Sequence, residues 1–321
     1  MTLHASYLGV IERRKRRLQS PLSYSKLWTP RCEICGAALE EVRHPVWRCR
    51  ARGCSGSIQS THTSQLHAAR SLGEDATVIL GGNGTGKTEL GAAISVATAL
   101  GRKDPQVQAW AKRWRLDLKR FPDRPGRVLA SALTSADSRR YLRTKLKNYL
   151  PAGSSWRNEY GDGEAEVTLP GGGQIVLKSN DQGRRSYQGD WFDLVWLDEE
   201  HDSDVFEECE GRTSRVPGGG GHILLTMTPL KGFSWVYERF IQAPPIGFQA
   251  HTLDGLENPY TDLEKMRRWF DRLPKHRRAA RKEGKFTALE GTIFDLDRSL
   301  HVVPSAKKIG RAHVGTPVTF R

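Results

Sequence analysis

The octapeptide Gly81-Gly82-Asn83-Gly84-Thr85-Gly86-Lys87-Thr88 decides the fold that this sequence predicts. It fits the pattern G-x-x-x-x-G-K-[ST], in which glycines let successive backbone N–H groups point at a phosphate. The apolar run Thr77–Leu80 before it predicts a strand, and the alanine-rich Gly86–Leu100 predicts a helix whose N-terminus adds positive charge. We expect Lys87 to reach the β and γ phosphate oxygens of ATP and the Thr88 hydroxyl to ligate Mg²⁺. The structural alternative is a glycine-rich turn followed by a surface lysine.

The surrounding sequence alternates between strand-like and helix-like segments, which predicts a parallel sheet flanked by helices. The further strands are expected at Arg127–Ala130, Leu194–Leu197 and Ile223–Thr226. The further helices are expected at Ala136–Leu150, Asp204–Thr213, Trp235–Ile241 and Asp262–Leu273. A hairpin is predicted between Glu164–Leu169 and Gln174–Leu177, because Pro170 and three glycines lie between them. The fold class is therefore α/β, a P-loop NTPase domain expected at 61–245.

An acidic pair follows the buried strand Leu194–Leu197. Open α/β sheets bind ligands at the carboxyl ends of their strands, so Asp198 is expected to hold Mg²⁺ and Glu199 to polarise the attacking water. The alternative for the pair is N-capping of the next helix.

Three polar residues outside these motifs are further candidates for the nucleotide site. Thr226 and Thr228 lie at the end of the strand Ile223–Thr226, where hydroxyls could sense the γ-phosphate, although plain turn chemistry also explains them. Gln65 precedes the first strand and could read the adenine edge with its amide.

The charge balance favours a polyanionic partner, since 50 Lys and Arg against 36 Asp and Glu give a formal charge of +14. The alternative is a basic surface that only keeps the protein soluble. The basic run from His276 to Lys285 also has two interpretations, a nucleic-acid contact or a solvated helix face. Four arginines are candidates for an arginine finger, whose positive charge stabilises the transition state of phosphoryl transfer: Arg139, Arg140, Arg184 and Arg185. The sequence has neither an apolar run of about 18 residues nor a secretory signal, which predicts an intracellular protein without a membrane anchor.

Four of the five cysteines form two pairs, Cys32 with Cys35 and Cys49 with Cys54. This spacing suits a structural four-thiolate zinc site, so 31–60 is predicted to be a zinc ribbon. The alternatives are unrelated buried cysteines, a redox pair, or replacement of one thiolate by His44. Cys209 lies outside the set.

In their order, these motifs resemble the ATPase domain of phage terminase large subunits. The resemblance covers roughly 61–240 and includes Tyr187-Gln188-Gly189, Thr226-Met227-Thr228-Pro229 and Trp235-Val236-Tyr237. It implies the additional-strand, catalytic-glutamate class of P-loop NTPases and a motor that translocates double-stranded viral DNA into a procapsid.

The resemblance also implies partners and residue roles. The partners are the portal and the small terminase subunit, the active form is a homo-oligomeric ring, and the location is the host cytoplasm. Adenine recognition would fall to Gln65, phosphate binding to residues 81–88, Mg²⁺ to Thr88 and Asp198, catalysis to Glu199 with Lys87, and ATP coupling to Thr226 and Thr228. Asn83 departs from the family pattern, which often has a basic residue there.

The remaining segments are predicted as appendages. Residues 1–30 are expected to be a basic arm and 246–290 a helical linker. Residues 291–307 resemble the opening of a ribonuclease-H-like nuclease that stops short, and 308–321 resemble a translated sequencing adapter, so no nuclease activity is expected. The functional alternatives are a helicase-like P-loop motor and a zinc-containing DNA-binding protein with an ATP switch.

Overall fold

The computed structural model describes residues 21–22, 31–32, 35, 37, 39–43, 46–49, 51–54, 58–60, 63–159, 164–258 and 260–287. Four short strands lie in the cysteine-rich segment: Arg31–Cys32 (β1), Glu40–Arg43 (β2), Val46–Arg48 (β3) and Ile58–Ser60 (β4). The other strands are Ala76–Gly81 (β5), Arg127–Ala132 (β6), Ser155–Arg157 (β7), Ala165–Thr168 (β8), Gln174–Ser179 (β9), Leu194–Asp198 (β10), His222–Met227 (β11) and Phe248–Leu253 (β12).

An eight-stranded sheet forms the centre of the molecule, with the order β12-β5-β11-β10-β6-β9-β8-β7. Every pairing from β12 to β9 is parallel. At one edge β9, β8 and β7 pair antiparallel.

The helices pack on both faces of this sheet. They are Thr63–Arg70 (α1), Lys87–Leu100 (α2), Pro105–Trp114 (α3), Ser203–Thr213 (α5), Leu263–Asp271 (α7) and Lys275–Glu283 (α8). Two further helices contain π-helical turns: α4 comprises Ser135–Asp137, Ser138–Leu142 and Arg143–Lys147, and α6 comprises Trp235–Tyr237 and Glu238–Gln242. The sequence predicts each of these two helices without the π turn.

The central strands are buried on both faces, which explains their continuous apolar runs. Alternate residues of β5 face different cores: Ile79 joins the cluster under α2, and Val78 and Leu80 join the cluster that contains Phe206 of α5. All six residues of β5 are buried. The four predicted parallel strands and the predicted hairpin are confirmed, with bounds that differ by one or two residues.

The register of the sheet positions the candidate site. β11 lies between β5 and β10, and it pairs Asp198 with Thr226 and Thr226 with Ile79. Because these three strands are parallel, the loop 81–88 (the phosphate loop), the acidic pair and the two threonines all lie at the carboxyl ends of strands, at one edge of the sheet.

The segment 246–290 differs from its prediction. The sequence predicts a helical linker there, but Phe248–Leu253 forms β12, the edge strand that pairs with β5. Polar residues break its apolar pattern, because an edge strand buries little of its outer side: Gln249 and Thr252 are exposed. Helices α7 and α8 do follow in the same segment.

The cysteine-rich segment forms two short antiparallel pairs. β1 pairs with β4, and β2 pairs with β3. Its buried apolar set is small, with Leu39 beside Cys32 and Cys49.

The predictions for the two ends of the chain fall largely outside the described residues. In the basic arm only 21–22 are described, where Leu22 is fully buried in the core under α2, and the segments 291–307 and 308–321 lie wholly outside. Within the part of the chain that is described, no helix is both long and apolar enough to cross a bilayer.

Candidate nucleotide site

The phosphate loop has the backbone conformation that its glycines predict. Gly84 and Gly86 have φ angles of 78° and 80°, a region that side chains with a Cβ rarely adopt. Gly86 immediately precedes α2, so the helix N-terminus points into the loop. The Thr85 hydroxyl donates to the carbonyl oxygen of Gly82 over 3.0 Å and closes the loop on itself.

Lys87, the first residue of α2, is buried against this loop. Its Nζ donates to the carbonyl oxygens of Gly81 (2.8 Å) and Gly82 (3.0 Å) and to Thr228 Oγ1 (3.1 Å). Burial lowers the pKa of Lys87, while the charges of Glu199 and Asp198 oppose that shift. The ammonium group therefore lies between the loop and the acidic pair, with all three N–H bonds used.

Asp198 ends β10 and accepts hydrogen bonds from two hydroxyls. Thr226 Oγ1 donates to Oδ1 over 2.7 Å, and Thr88 Oγ1 lies 3.1 and 3.2 Å from Oδ1 and Oδ2. Burial, followed by the charge of Glu199, raises the pKa of Asp198 to about 7. A buried carboxylate that resists ionisation, next to a second carboxylate and a threonine hydroxyl, favours a hard divalent cation such as Mg²⁺.

Glu199 adopts an uncommon backbone conformation, with φ at +71°. Its N–H donates to the carbonyl oxygen of Thr226 over 2.7 Å, and its Oε2 accepts from the N–H of Thr228 over 3.0 Å. These two hydrogen bonds attach the backbone and the carboxylate of Glu199 to the end of β11. The carboxylate of Glu199 is thus fixed beside the phosphate loop.

The two remaining sequence candidates also lie at this edge. Thr228 Oγ1 donates to the carbonyl oxygen of Gly81 over 3.0 Å, which connects β11 to the phosphate loop. Gln65 of α1 is fully buried, and its Nε2 donates to the carbonyl oxygen of Gly86 over 2.8 Å. The structure therefore brings together residues from distant parts of the sequence.

The phosphate loop also contacts a later segment of the chain, and the sequence does not predict these contacts. Asn258 Nδ2 donates to the carbonyl oxygen of Gly84 over 2.5 Å, and Arg281 Nη1 of α8 donates to Asn83 Oδ1 over 3.2 Å. A Cβ added to Gly82 would lie 1.5 Å from the carbonyl oxygen of Arg281. The segment after β12 therefore packs directly on the loop, a tertiary contact that no local sequence pattern indicates.

The four arginine candidates occupy two surface regions. Arg139 and Arg140 lie in the π turn of α4, and Arg140 stacks on the Tyr141 ring at 5.4 Å. Arg184 and Arg185 lie in a 3-10 turn, Arg184–Tyr187. Arg184 Nε donates to Glu208 Oε2 over 3.0 Å, which ties that guanidinium to α5.

The four clustered cysteines form a candidate metal centre. Their Sγ atoms all lie within 4.8 Å of one another, and the pairs Cys32–Cys54 and Cys35–Cys49 are each 3.6 Å apart. These distances are far longer than a disulfide bond of about 2.05 Å. Tetrahedral coordination with Zn–S bonds of about 2.3 Å places sulfurs about 3.8 Å apart, so the cluster fits zinc.

Solved structures of similar fold support the fold assignment. The large terminase from a thermophilic bacteriophage, in complex with ADP, aligns with a TM-score of 0.51 and 16% identity, covering 74% of this chain and 54% of that one. A second crystal form of the same phage protein gives a TM-score of 0.54 and 14% identity, with coverages of 77% and 58%. At such identities the likeness shows a shared α/β fold.

Sequence comparison identifies the family. The large terminase subunit of Salmonella phage P22 is 35% identical over 120 residues, which are 37% of this chain and 23% of that relative. The chain thus spans only part of the relatives that it matches. The family model described as "Terminase large subunit, T4likevirus-type, N-terminal" matches residues 78–300. This match extends over more than half of the chain, which therefore belongs to the terminase large subunit family.

Proposed function

We propose that this chain is the ATP-hydrolysing part of a DNA-packaging motor, which translocates double-stranded viral DNA into a procapsid. The main observation behind this proposal is that four side chains lie together where β5 and β10 end, with β11 between these strands: Lys87, Thr88, Asp198 and Glu199. That strand order supports the additional-strand, catalytic-glutamate class of P-loop NTPases. A large terminase of similar fold, from a thermophilic phage, has been solved in complex with ADP, which supports a nucleotide as the ligand of this chain.

The residue roles follow from the chemistry of the groups. The backbone N–H groups of residues 81–88 would surround the phosphates, and Lys87 would exchange its carbonyl partners for the β and γ oxygens. Thr88 and Asp198 would hold Mg²⁺, which supplies positive charge to the phosphates when it is bound.

The other roles concern the water and the base. Glu199 would orient the attacking water, and Thr226 and Thr228 would link the state of the phosphates to β11. Gln65 would contact the adenine from α1, beside the loop.

The basic surface supports DNA as the polyanionic partner. The net charge is +14, and exposed cationic residues recur on the described helices, among them Arg140, Arg267, Arg268 and Arg277. Phosphate neutralisation by such residues gives sequence-independent, salt-dependent affinity, which suits a motor that must move along any sequence. The portal, the small subunit and a homo-oligomeric ring in the host cytoplasm belong to the same proposal.

We also assign zinc to Cys32, Cys35, Cys49 and Cys54. All four positions of a tetrahedral site would be filled by protein, so the ion would be structural. Its role would be to hold together a module with very little apolar core.

The test is ATP hydrolysis measured with and without double-stranded DNA, together with a triplex-displacement assay for movement along the duplex. The proposal requires DNA-stimulated phosphate release and displacement that depends on ATP. Strand separation would favour the helicase-like alternative. Tight, ATP-dependent DNA binding with negligible hydrolysis would instead favour the switch.

A further inference from the structure

A chain of buried hydrogen bonds connects Glu199 to the turn Arg184–Tyr187. His201 Nδ1 lies 2.9 Å from the carbonyl oxygen of Glu199, and its Nε2 lies 2.8 Å from Ser131 Oγ in β6. Ser131 Oγ in turn lies 2.6 Å from the hydroxyl of Tyr187. Tyr187 ends the turn Arg184–Tyr187, so the chain runs from the acidic loop to an arginine-bearing segment.

The chemistry of the partners fixes the direction of every bond. A backbone carbonyl can only accept, so Nδ1 of His201 carries the proton and Nε2 accepts. The hydroxyl proton of Ser131 points to Nε2 at 2.8 Å rather than to the carbonyl oxygen of Ala132 at 3.4 Å, and Ser131 then accepts from Tyr187. The order of donation is therefore Tyr187 to Ser131 to His201 to Glu199.

Burial makes this order rigid. Ser131 and His201 are 0% exposed and Tyr187 is 1% exposed. Burial lowers the pKa of His201 to about 4, which keeps the ring neutral and preserves the tautomer. Because water cannot replace a lost partner, removing one link leaves a buried polar group unsatisfied.

Glu199 needs such support because of its backbone. A residue other than glycine at φ +71° is strained by about 1 kcal/mol or more and persists only when surrounding contacts fix it. The N–H and the carboxylate of Glu199 are both attached to the β11 side, through Thr226 and Thr228. His201 provides the attachment from the β6 side, at the carbonyl oxygen.

We propose that His201 is a positioning residue, which fixes the backbone of Glu199 and couples it, through Ser131 and Tyr187, to the turn that carries Arg184 and Arg185. This inference rests on the proposed ATP hydrolysis. A partner that displaces the turn would change the geometry of the carboxylate without touching the nucleotide. The arginine turn and the water-orienting carboxylate are thereby parts of one mechanical unit.

The test uses the two nitrogens of the imidazole separately. In His201→Asn the amide nitrogen replaces Nδ1 and keeps the bond to the Glu199 carbonyl, whereas in His201→Gln the amide nitrogen reaches only toward Ser131. We expect His201→Gln to lower kcat by about 10- to 100-fold at an unchanged ATP dissociation constant, and His201→Asn to retain most of the kcat. Tyr187→Phe should lower kcat by less, and its effect should vanish in the His201→Gln background.

The matched control is His222→Asn, since burial lowers the pKa of His222 to about 4 as well, and this residue begins β11 at the opposite end of the sheet. A wild-type protein that does not hydrolyse ATP would reject the proposed function itself. In an active protein, equal kcat for both His201 variants would overturn the positioning role. Parallel losses of kcat and ATP affinity, matched by His222→Asn, would also overturn it, because they indicate general loss of packing.

Discussion

Thr226 donates its only hydroxyl proton to Asp198 and accepts a hydrogen bond from Trp196 Nε1. The two distances are 2.7 and 2.8 Å, and all three residues belong to the adjacent strands β10 and β11. The hydroxyl thus serves the candidate metal ligand and also satisfies the indole of a fully buried tryptophan. One atom therefore contributes both to the site and to the core.

Replacing Thr226 by valine should weaken both the candidate metal site and the packing of the core. The change keeps the shape of the side chain but leaves the Trp196 N–H buried without a partner and removes a donor from Asp198. We expect the free energy of unfolding to fall by about 1–3 kcal/mol and ATP hydrolysis to fall with it. Thr226→Ser keeps the hydroxyl and is the control. Urea denaturation and phosphate release measure the two effects, and equal behaviour of the two variants would contradict the assignment.

Glu199→Gln should separate binding from hydrolysis. The amide retains an oxygen that can accept from Thr228 N–H, but it cannot act as a base for water. We expect kcat to fall by about 10²- to 10⁴-fold with little change in ATP affinity. Phosphate release and nucleotide titration measure the two quantities.

The matched control for that change is Glu200→Gln. Glu200 is the next carboxylate along the chain. It is buried, and its Oε1 lies 3.8 Å from Nζ of Lys231. It should keep hydrolysis near the wild-type rate. Loss of activity in this control, with activity retained in Glu199→Gln, would exchange the two roles.

The sequence predicts the central strands well because each is a short apolar run that ends at a glycine or a polar residue. It misses β12 and β7, where edge positions leave one side of the strand in water and the apolar pattern fades. It also misses the π turns in α4 and α6, since one inserted residue barely alters a helical pattern of this length. His201 and Ser131 are 70 positions apart in the sequence, and Ser131 and Tyr187 are 56 positions apart. Only the assembled sheet brings these three residues together.

Metal analysis should find one zinc ion per chain. Cys35→Ser should remove it, because three thiolates and a hydroxyl hold zinc far more weakly than four thiolates, and Cys35 is exposed enough for the change to leave packing intact. Cys209→Ser is the control, since Cys209 is buried in α5, away from the cluster. Elemental analysis after gel filtration measures the metal. Stoichiometric zinc in Cys35→Ser would exclude the four-thiolate site.

Gly91→Ala should destabilise the protein, although alanine is the better helix former. A Cβ at this position of α2 would lie 2.2 Å from Cε2 of Trp196, so the indole must move and strain its bond to Thr226. We expect a loss of about 1–3 kcal/mol.

Gly211→Ala in α5 is the matched control for Gly91→Ala. An added Cβ there meets no atom within 4 Å, so the change should stabilise the protein by about 0.5–1 kcal/mol. Urea denaturation compares the two variants. The same sign for both changes would contradict the close packing of α2 on β10.

The stabilisation that His201 and His222 contribute should be lost as the pH falls from about 6.5 to about 4, while Asp198, whose pKa burial raises to about 7, shifts the stability in the opposite direction. Burial lowers the pKa of His201 and His222 from 6.5 to about 4, so in this range the unfolded chain binds protons that the folded chain refuses. The stabilisation is complete above the unfolded pKa and is lost as the pH approaches the folded one. His201, which is fully buried, should contribute on the order of 3 kcal/mol, and the half-buried His222 should contribute less.

Urea denaturation at a series of pH values measures this dependence. Between pH 6.5 and 4, the free energy of unfolding of the double variant His201→Asn/His222→Asn should fall less than that of the wild type, or rise more, because neither asparagine titrates. His67→Asn, at an exposed position, is the control for replacing a histidine by asparagine. Because the prediction concerns the slope against pH, it holds even if the double variant is less stable throughout. Parallel slopes for the double variant and the wild type would mean that both imidazoles remain open to protons in the folded state.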